Sequence, residues 1–187
     1  MENKSSFFQG LYYESYIPLV WQRVDVLPGA DALASINEDN CRFLKALAAL
    51  NEGAPEAGDE IPQTAAELQR LDLKLNLLIE IVGKLLASQR ALPAPTRVRL
   101  GHGAIEWMAQ DCPPSGAQIC IEVYLRSELP SPLTFYGVVA LADAEPGMES
   151  AGQQVQMRFA GLNATLQDDL EKFIFRRHRR SIAERQA

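Results

Sequence analysis

Val98-Arg99-Leu100-Gly101-His102-Gly103-Ala104-Ile105-Glu106-Trp107 decides how the second half of the chain is built. Val98 and Leu100 share one parity and Ile105 and Trp107 the other, and the change falls across Gly101-His102-Gly103. Period-two alternation is the mark of a strand. A glycine pair at a parity shift reads as a tight turn or bulge between two strands. The pattern continues downstream. Pro113-Pro114-Ser115-Gly116 reads as a turn, and Ile119, Ile121, Val123 and Leu125 alternate after it. Pro130 and Pro132 bound a strand holding Leu133, Phe135, Val139 and Leu141, and Glu145-Pro146-Gly147 turns the chain into Val155, Met157 and Phe159. Short strands at this spacing predict a small antiparallel β-barrel or sandwich. Residues 11–22 add one more: Tyr13, Ile17, Leu19 and Trp21 share a face, Glu14 and Gln22 the other, and Pro18 marks an edge or bulge.

Between these strands the period changes to that of helices. Ser35 and Glu38 have capping-box spacing before Phe43, Leu44, Leu47 and Leu50, which predicts a helix over 38–51. Gly53 ends it, and the acidic Pro/Gly/Ala stretch to Gly58 reads as a loop. Thr64 and Glu67 open a second helix, closed by Pro93 and Pro95. Within it Leu68, Leu75 and Val82 fall on one heptad position, and Leu71, Leu78, Leu85 and Leu92 on its partner. Leu77, Ile79, Ile81 and Leu86 widen the stripe beyond what one facing helix covers. A third helix starts near Asn163 on Leu166, Leu170, Phe173 and Ile174. Its acidic residues Asp168, Asp169 and Glu171 come early and Arg176, Arg177, Arg179 and Arg180 late, which suits the helix dipole.

Composition bounds the function. The chain has 187 residues, 47% of them hydrophobic and 22% charged, the profile of a globular protein with room for one domain and an appendage. A net charge of -6 argues against a nucleic-acid partner, whose phosphates call for basic surface. Residues 1–10 carry no basic-then-apolar leader, and the greasiest stretch, 71–86, is interrupted by Asp72, Lys74, Asn76, Glu80 and Lys84, so neither secretion nor membrane insertion is expected. Cys41, Cys112 and Cys120 have no metal-type spacing and read as free thiols of a cytoplasmic protein. Two histidines, no paired-carboxylate motif and no nucleophile elbow leave an enzyme without a basis. His102 reads as a turn residue, since no partner stands at a recognisable spacing, and Trp21 and Trp107 read as core.

Four passages, in their order and spacing, resemble the atypical branch of the PilZ domain family: Leu11-Tyr12-Tyr13 through Ile17-Pro18-Leu19-Val20-Trp21; Leu71-Asp72-Leu73-Lys74-Leu75-Asn76-Leu77-Leu78; the 98–107 stretch; and Phe173-Ile174-Phe175-Arg176-Arg177-His178-Arg179-Arg180. The resemblance implies an α+β fold, with a small antiparallel β-barrel, long inserted helices that form a coiled-coil-type oligomerisation element, and a C-terminal helix. It implies one PilZ-like domain over 11–182, interrupted by a helical insertion at 38–92, with 183–187 as a tail. PilZ domains are receptors for cyclic di-GMP, which they hold with an R-x-x-x-R segment before the barrel and a [DN]-x-S-x-x-G segment at its start. Arginine forks suit phosphates and guanine faces, and a final glycine admits close backbone approach.

This sequence departs from both segments. Arg99 stands where Asp or Asn is expected, Gly101 at the serine, Ala104 at the last glycine, and no arginine precedes Arg23. The only R-x-x-x-R is Arg176 to Arg180, on the terminal helix. The expectation is therefore a non-enzymatic oligomeric adaptor in cyclic di-GMP-related signalling, without a cofactor. It would assemble with itself as a tetramer through Leu68, Leu71, Leu75, Leu78, Val82 and Leu85, and act on an unspecified signalling protein. The alternative is a true receptor, with cyclic di-GMP held by Arg97, Arg99, Arg176, Arg177, Arg179 and Arg180. A third reading makes the helices a cover for the barrel within one monomer. The basic cluster also has a plain reading, as a helix C-terminus that complements its own dipole.

Overall fold

Pro18 is the single residue between two strands that lie at opposite ends of one sheet. In the computed structural model, residues 7–8, 10–51, 92–126, 131–143 and 153–186 are described, together with 68, 70, 71, 74, 75, 77, 78, 81 and 82. Among these, β1 (Tyr13–Ile17), β2 (Leu19–Arg23), β3 (Thr96–Leu100), β4 (Ala104–Ala109), β5 (Gln118–Val123), β6 (Leu133–Asp143) and β7 (Gln153–Phe159) form one antiparallel sheet in the order β1-β3-β4-β7-β6-β5-β2. Because β1 and β2 adjoin in the chain, the sheet must curl until its two edges meet at Pro18. Proline has no N–H to give a ladder, so the break costs no ladder hydrogen bond at that residue, while its carbonyl accepts from Tyr124 N–H at 3.0 Å.

The inner face follows the predicted alternation. Val98, Leu100, Ile105 and Trp107 are all buried, with Leu100 opposite Ile105 and Val98 opposite Trp107. The Gly-His-Gly stretch is a tight turn, closed by Gly101 N–H donating to the Ala104 carbonyl at 2.9 Å. Gly137 sits where two strands approach most closely to a would-be side chain. A Cβ there would stand 2.1 Å from the Arg158 carbonyl oxygen of the paired strand, so only glycine allows the approach. Beside it Phe135 and Phe159 stack with centroids 4.2 Å apart.

Two helices close the barrel. In α2 (Ala164–Gln186), Asn163 caps the start by accepting from Leu166 N–H at 2.8 Å, and Leu166, Leu170 and Ile174 are buried at helical spacing. The helix runs to Gln186, through most of the stretch expected as a tail. The first helix, α1 (Ala30–Asn51), begins eight residues before the predicted position, so Ser35 is mid-helix and not a cap. Its buried face carries two polar residues that the apolar period could not count. Asn37 donates to the Gly161 carbonyl at 2.8 Å. Asn40 pairs both ways with Thr134 of β6, donating to its carbonyl at 2.7 Å and accepting from its N–H at 3.0 Å.

All nine described residues between 68 and 82 are helical and exposed. Leu85, Ile79, Leu86, the Thr64/Glu67 cap, the 53–58 stretch and the 145–147 turn lie outside the described residues. The three cysteines are free thiols, Cys41 and Cys120 buried and Cys112 half-buried, and burial pushes each above its ordinary pKa.

Candidate functional site

On the outer face, Glu14, Arg99, Glu106 and Gln156 stand side by side on β1, β3, β4 and β7, each opposite the next in register. Glu14 accepts from Arg99 Nε at 2.6 Å, and from Arg97 Nη2 at 2.9 Å and Nε at 3.1 Å. Arg99 Nη1 then reaches Glu106 at 3.0 Å, whose other oxygen accepts from Gln156 at 2.9 Å. Glu106 is almost fully buried, so its charge depends on these partners. Partial burial works against the charge of Glu14, but hydrogen bonds from Arg99 and Arg97, and their positive charges, hold its carboxyl below the usual range. Burial likewise disfavours the Arg99 cation, while Glu14 and Glu106 raise its pKa on balance.

Aromatic side chains from the N-terminal segment cover this row. The Arg99 guanidinium lies 5.5 Å from the Tyr12 ring centroid, Phe8 packs on Tyr12, and Arg158 lies 5.1 Å from Phe7. Phe8 also sits over the β3–β4 turn, where a Cβ on Gly101 would come within 2.7 Å of its ring. His102 of the turn faces Glu171 of α2 at 3.7 Å.

The arginines of α2 lie elsewhere. Tyr13 and Phe173 meet edge to face at 5.4 Å, and Arg177 lies 5.9 Å and 5.6 Å from their two centroids. Arg179 lies 5.9 Å from the Phe175 ring. Neighbouring residues of a strand point to opposite faces. Tyr13, opposite Leu100, therefore faces inward, and Glu14, opposite Arg99, faces outward. Of the six arginines expected around one ligand, Arg97 and Arg99 engage carboxylates on the outer face, and Arg177 packs on Tyr13 and Phe173. Arg176, Arg177 and Arg180 instead line a cleft between α1 and α2, with Lys45 and Lys172.

Glu14, Glu106 and Lys45 were not among the expected site residues. The first two became visible partners only through strand register. Lys45 joins the arginines because α1 packs on α2, a contact that no local pattern encodes. Among the described residues no group of His, Cys, Asp and Glu could hold a metal ion, and no helix is long and apolar enough to cross a membrane.

This architecture is known from a solved structure. The chain is similar to a solved pathogenic protein from Xanthomonas campestris, described as a new tetrameric PilZ domain self-assembled via an unusual helical bundle. The TM-score is 0.69 at 24% identity, over 94% of this chain and 91% of that one. A partial likeness to the Bacillus subtilis inhibitor of motility has a TM-score of 0.37 at 19% identity, over 45% of this chain and 41% of that one. No curated protein matches in sequence. The family model of the atypical PilZ domain, described as a cyclic di-GMP receptor, matches residues 44–187. With barrel, closing helices and family model in agreement, the chain belongs to the atypical PilZ domain family.

Proposed function

We propose that this protein is a non-enzymatic, self-assembling adaptor of cyclic di-GMP-related signalling, acting in the cytoplasm through contacts with a signalling protein. The observation that carries this reading is the outward leucine face. Leu68, Leu71, Leu75, Leu77, Leu78, Ile81 and Val82 are each more than half exposed in the single chain. Fully burying one such side chain is worth about 1.5–3 kcal/mol, so seven of them together give a strong drive to associate. The stripe is wider than a two-helix seam, which favours four copies around it. The tetrameric helical bundle of the Xanthomonas campestris protein supports the same order. In this reading residues 11–182 are one PilZ-like unit and 38–92 its assembly insertion.

Capture of cyclic di-GMP in the family's usual mode finds little support. Arg99 is engaged by Glu14 and Glu106, and Phe8 packs over the turn at Gly101. A second reading, a receptor with a non-standard arginine set, is favoured by the family description and by the arginines around the α1–α2 cleft. Two measurements test these readings. Light scattering on a size-exclusion column should give about four times the 20.7 kDa chain mass; a 20.7 kDa particle at micromolar concentration overturns self-assembly. Calorimetric titration with cyclic di-GMP should give no binding heat, and micromolar or tighter binding would install the receptor reading in its place.

A further inference from the structure

The helical segment 68–82 carries more apolar surface than its seam can use. At about 100° of turn per residue, Leu68, Leu71, Leu75, Leu78 and Val82 gather on one side, and Leu77 and Ile81 lie roughly 120° round from its centre. Arg70 and Lys74 share this second side with them, one or two helical turns earlier. Helices joined along the first side leave Leu77 facing outward. Within the single chain Leu77 and Ile81 are each more than half exposed, so their own chain leaves them uncovered.

A groove between α1 and β6 matches that second side in shape and charge. Ile36, Asp39, Phe43 and Ala46 recur on α1 at helical spacing and form one stripe, with Pro132 opposite. The space is about 650 Å³, enough for the side-chain ridge of a packed helix. The rim is acidic on balance, because Asp39 and Glu38 share the one guanidinium of Arg42, at 2.8 Å and 3.3 Å. The cleft between α1 and α2 fits the segment worse, since Lys45, Lys172 and Arg180 would meet Arg70 and Lys74 with like charge.

We propose that Leu77 and Ile81 of one copy pack into the α1–β6 groove of a second copy. They lie against Ile36, Phe43 and Pro132, while Arg70 and Lys74 run along Asp39 and Glu38. The contact ties the barrel of one chain to the bundle helix of another. It rests on self-assembly along the leucine seam, which raises the local concentration of the second copy at the groove.

The assembled full chain is treated with a carbodiimide, which joins a lysine to a carboxylate in direct contact. Mass spectrometry of the digested product should find Lys74 linked to Asp39 or Glu38 in the band at twice 20.7 kDa and not in the single-chain band. Leu77→Asp should cut the yield of that link about tenfold, because it places a carboxylate in the groove. Leu77 is exposed in the single chain and lies off the seam, so the light-scattering mass should stay at the parent's. A particle of 20.7 kDa before treatment overturns self-assembly and this contact with it. An oligomer without the link, a link within single chains, or a yield unmoved by Leu77→Asp overturns the contact alone. So does a mass that falls with Leu77→Asp, which would place the residue in the seam itself.

Discussion

Glu14 and Arg99 stand opposite each other in the β1–β3 ladder and meet at 2.6 Å, so the arginine nearest the turn spends its charge inside the protein. Arg99→Ala should accordingly lower stability more than it alters any ligand affinity. It strips the nearly buried Glu106 of its cation and leaves that carboxylate only Gln156. A loss of about 2–3 kcal/mol is expected in urea unfolding at neutral pH. An unfolding curve equal to the parent's would show the row to be ornamental.

The same pair sets a pH response. The Glu14 carboxyl titrates below its ordinary range in the fold, so as pH falls the unfolded chain takes up the proton first. Stability from this group is complete above the unfolded pKa and is lost as pH falls through the lower, folded one. Thermal melts from about pH 6 to about pH 3 should show a steep acid limb for the parent and a shallower one for Glu14→Gln. Parallel limbs would count against the assignment.

Asn40 ties α1 to the backbone of β6 through both atoms of its amide. Asn40→Ala removes two hydrogen bonds and leaves the N–H and carbonyl of Thr134 wanting partners. Destabilisation of about 2–4 kcal/mol should appear as a lower urea midpoint at unchanged slope. Asn40→Asp should not recover it, since the oxygen in place of the amide nitrogen would face the Thr134 carbonyl, acceptor against acceptor, and bury a charge.

Leu78→Asp should turn the assembly into single chains without unfolding them. In one chain the residue is 57% exposed, so a carboxylate is tolerated there. In an assembly each copy would place a charge within an apolar seam, at several kcal/mol per copy. Light scattering should fall to 20.7 kDa while far-ultraviolet dichroism is preserved. An unchanged mass would mean that the seam lies elsewhere.

Much of the barrel was legible because its inner face obeys a period of two without exception in the decisive stretch. Val98, Leu100, Ile105 and Trp107 are each at most 1% exposed, and the parity shift between the pairs is the turn itself. The start of α1 was illegible for a physical reason: Asn37 and Asn40 occupy its buried stripe, satisfied by backbone groups from Gly161 and Thr134 that lie far along the chain. The candidate site was legible in residue type and illegible in grouping. Arg97 and Arg99 could be seen as arginines beside a turn, but only strand register reveals that Glu14 and Glu106 pair with them. Arg177 and Lys45 share a cleft because two helices pack together, and that contact leaves no mark on local sequence.

The break at Pro18 also dictates when the fold can form. β1 pairs with residues 79 to 87 positions later, from Ile17 with Thr96 to Tyr13 with Leu100. β2 waits longer, for partners 96 to 104 positions on, from Arg23 with Ile119 to Leu19 with Val123. During synthesis the first strand therefore leaves the ribosome with nothing to pair with until the chain has reached β3, 79 to 87 residues later. Such long-range closure is slow to reach, yet the entropy of closing a loop grows only with the logarithm of its length. Placing the helices between β2 and β3 thus delays the barrel while costing its final stability little, and lineages are left free to lengthen or rebuild that segment around a fixed seam.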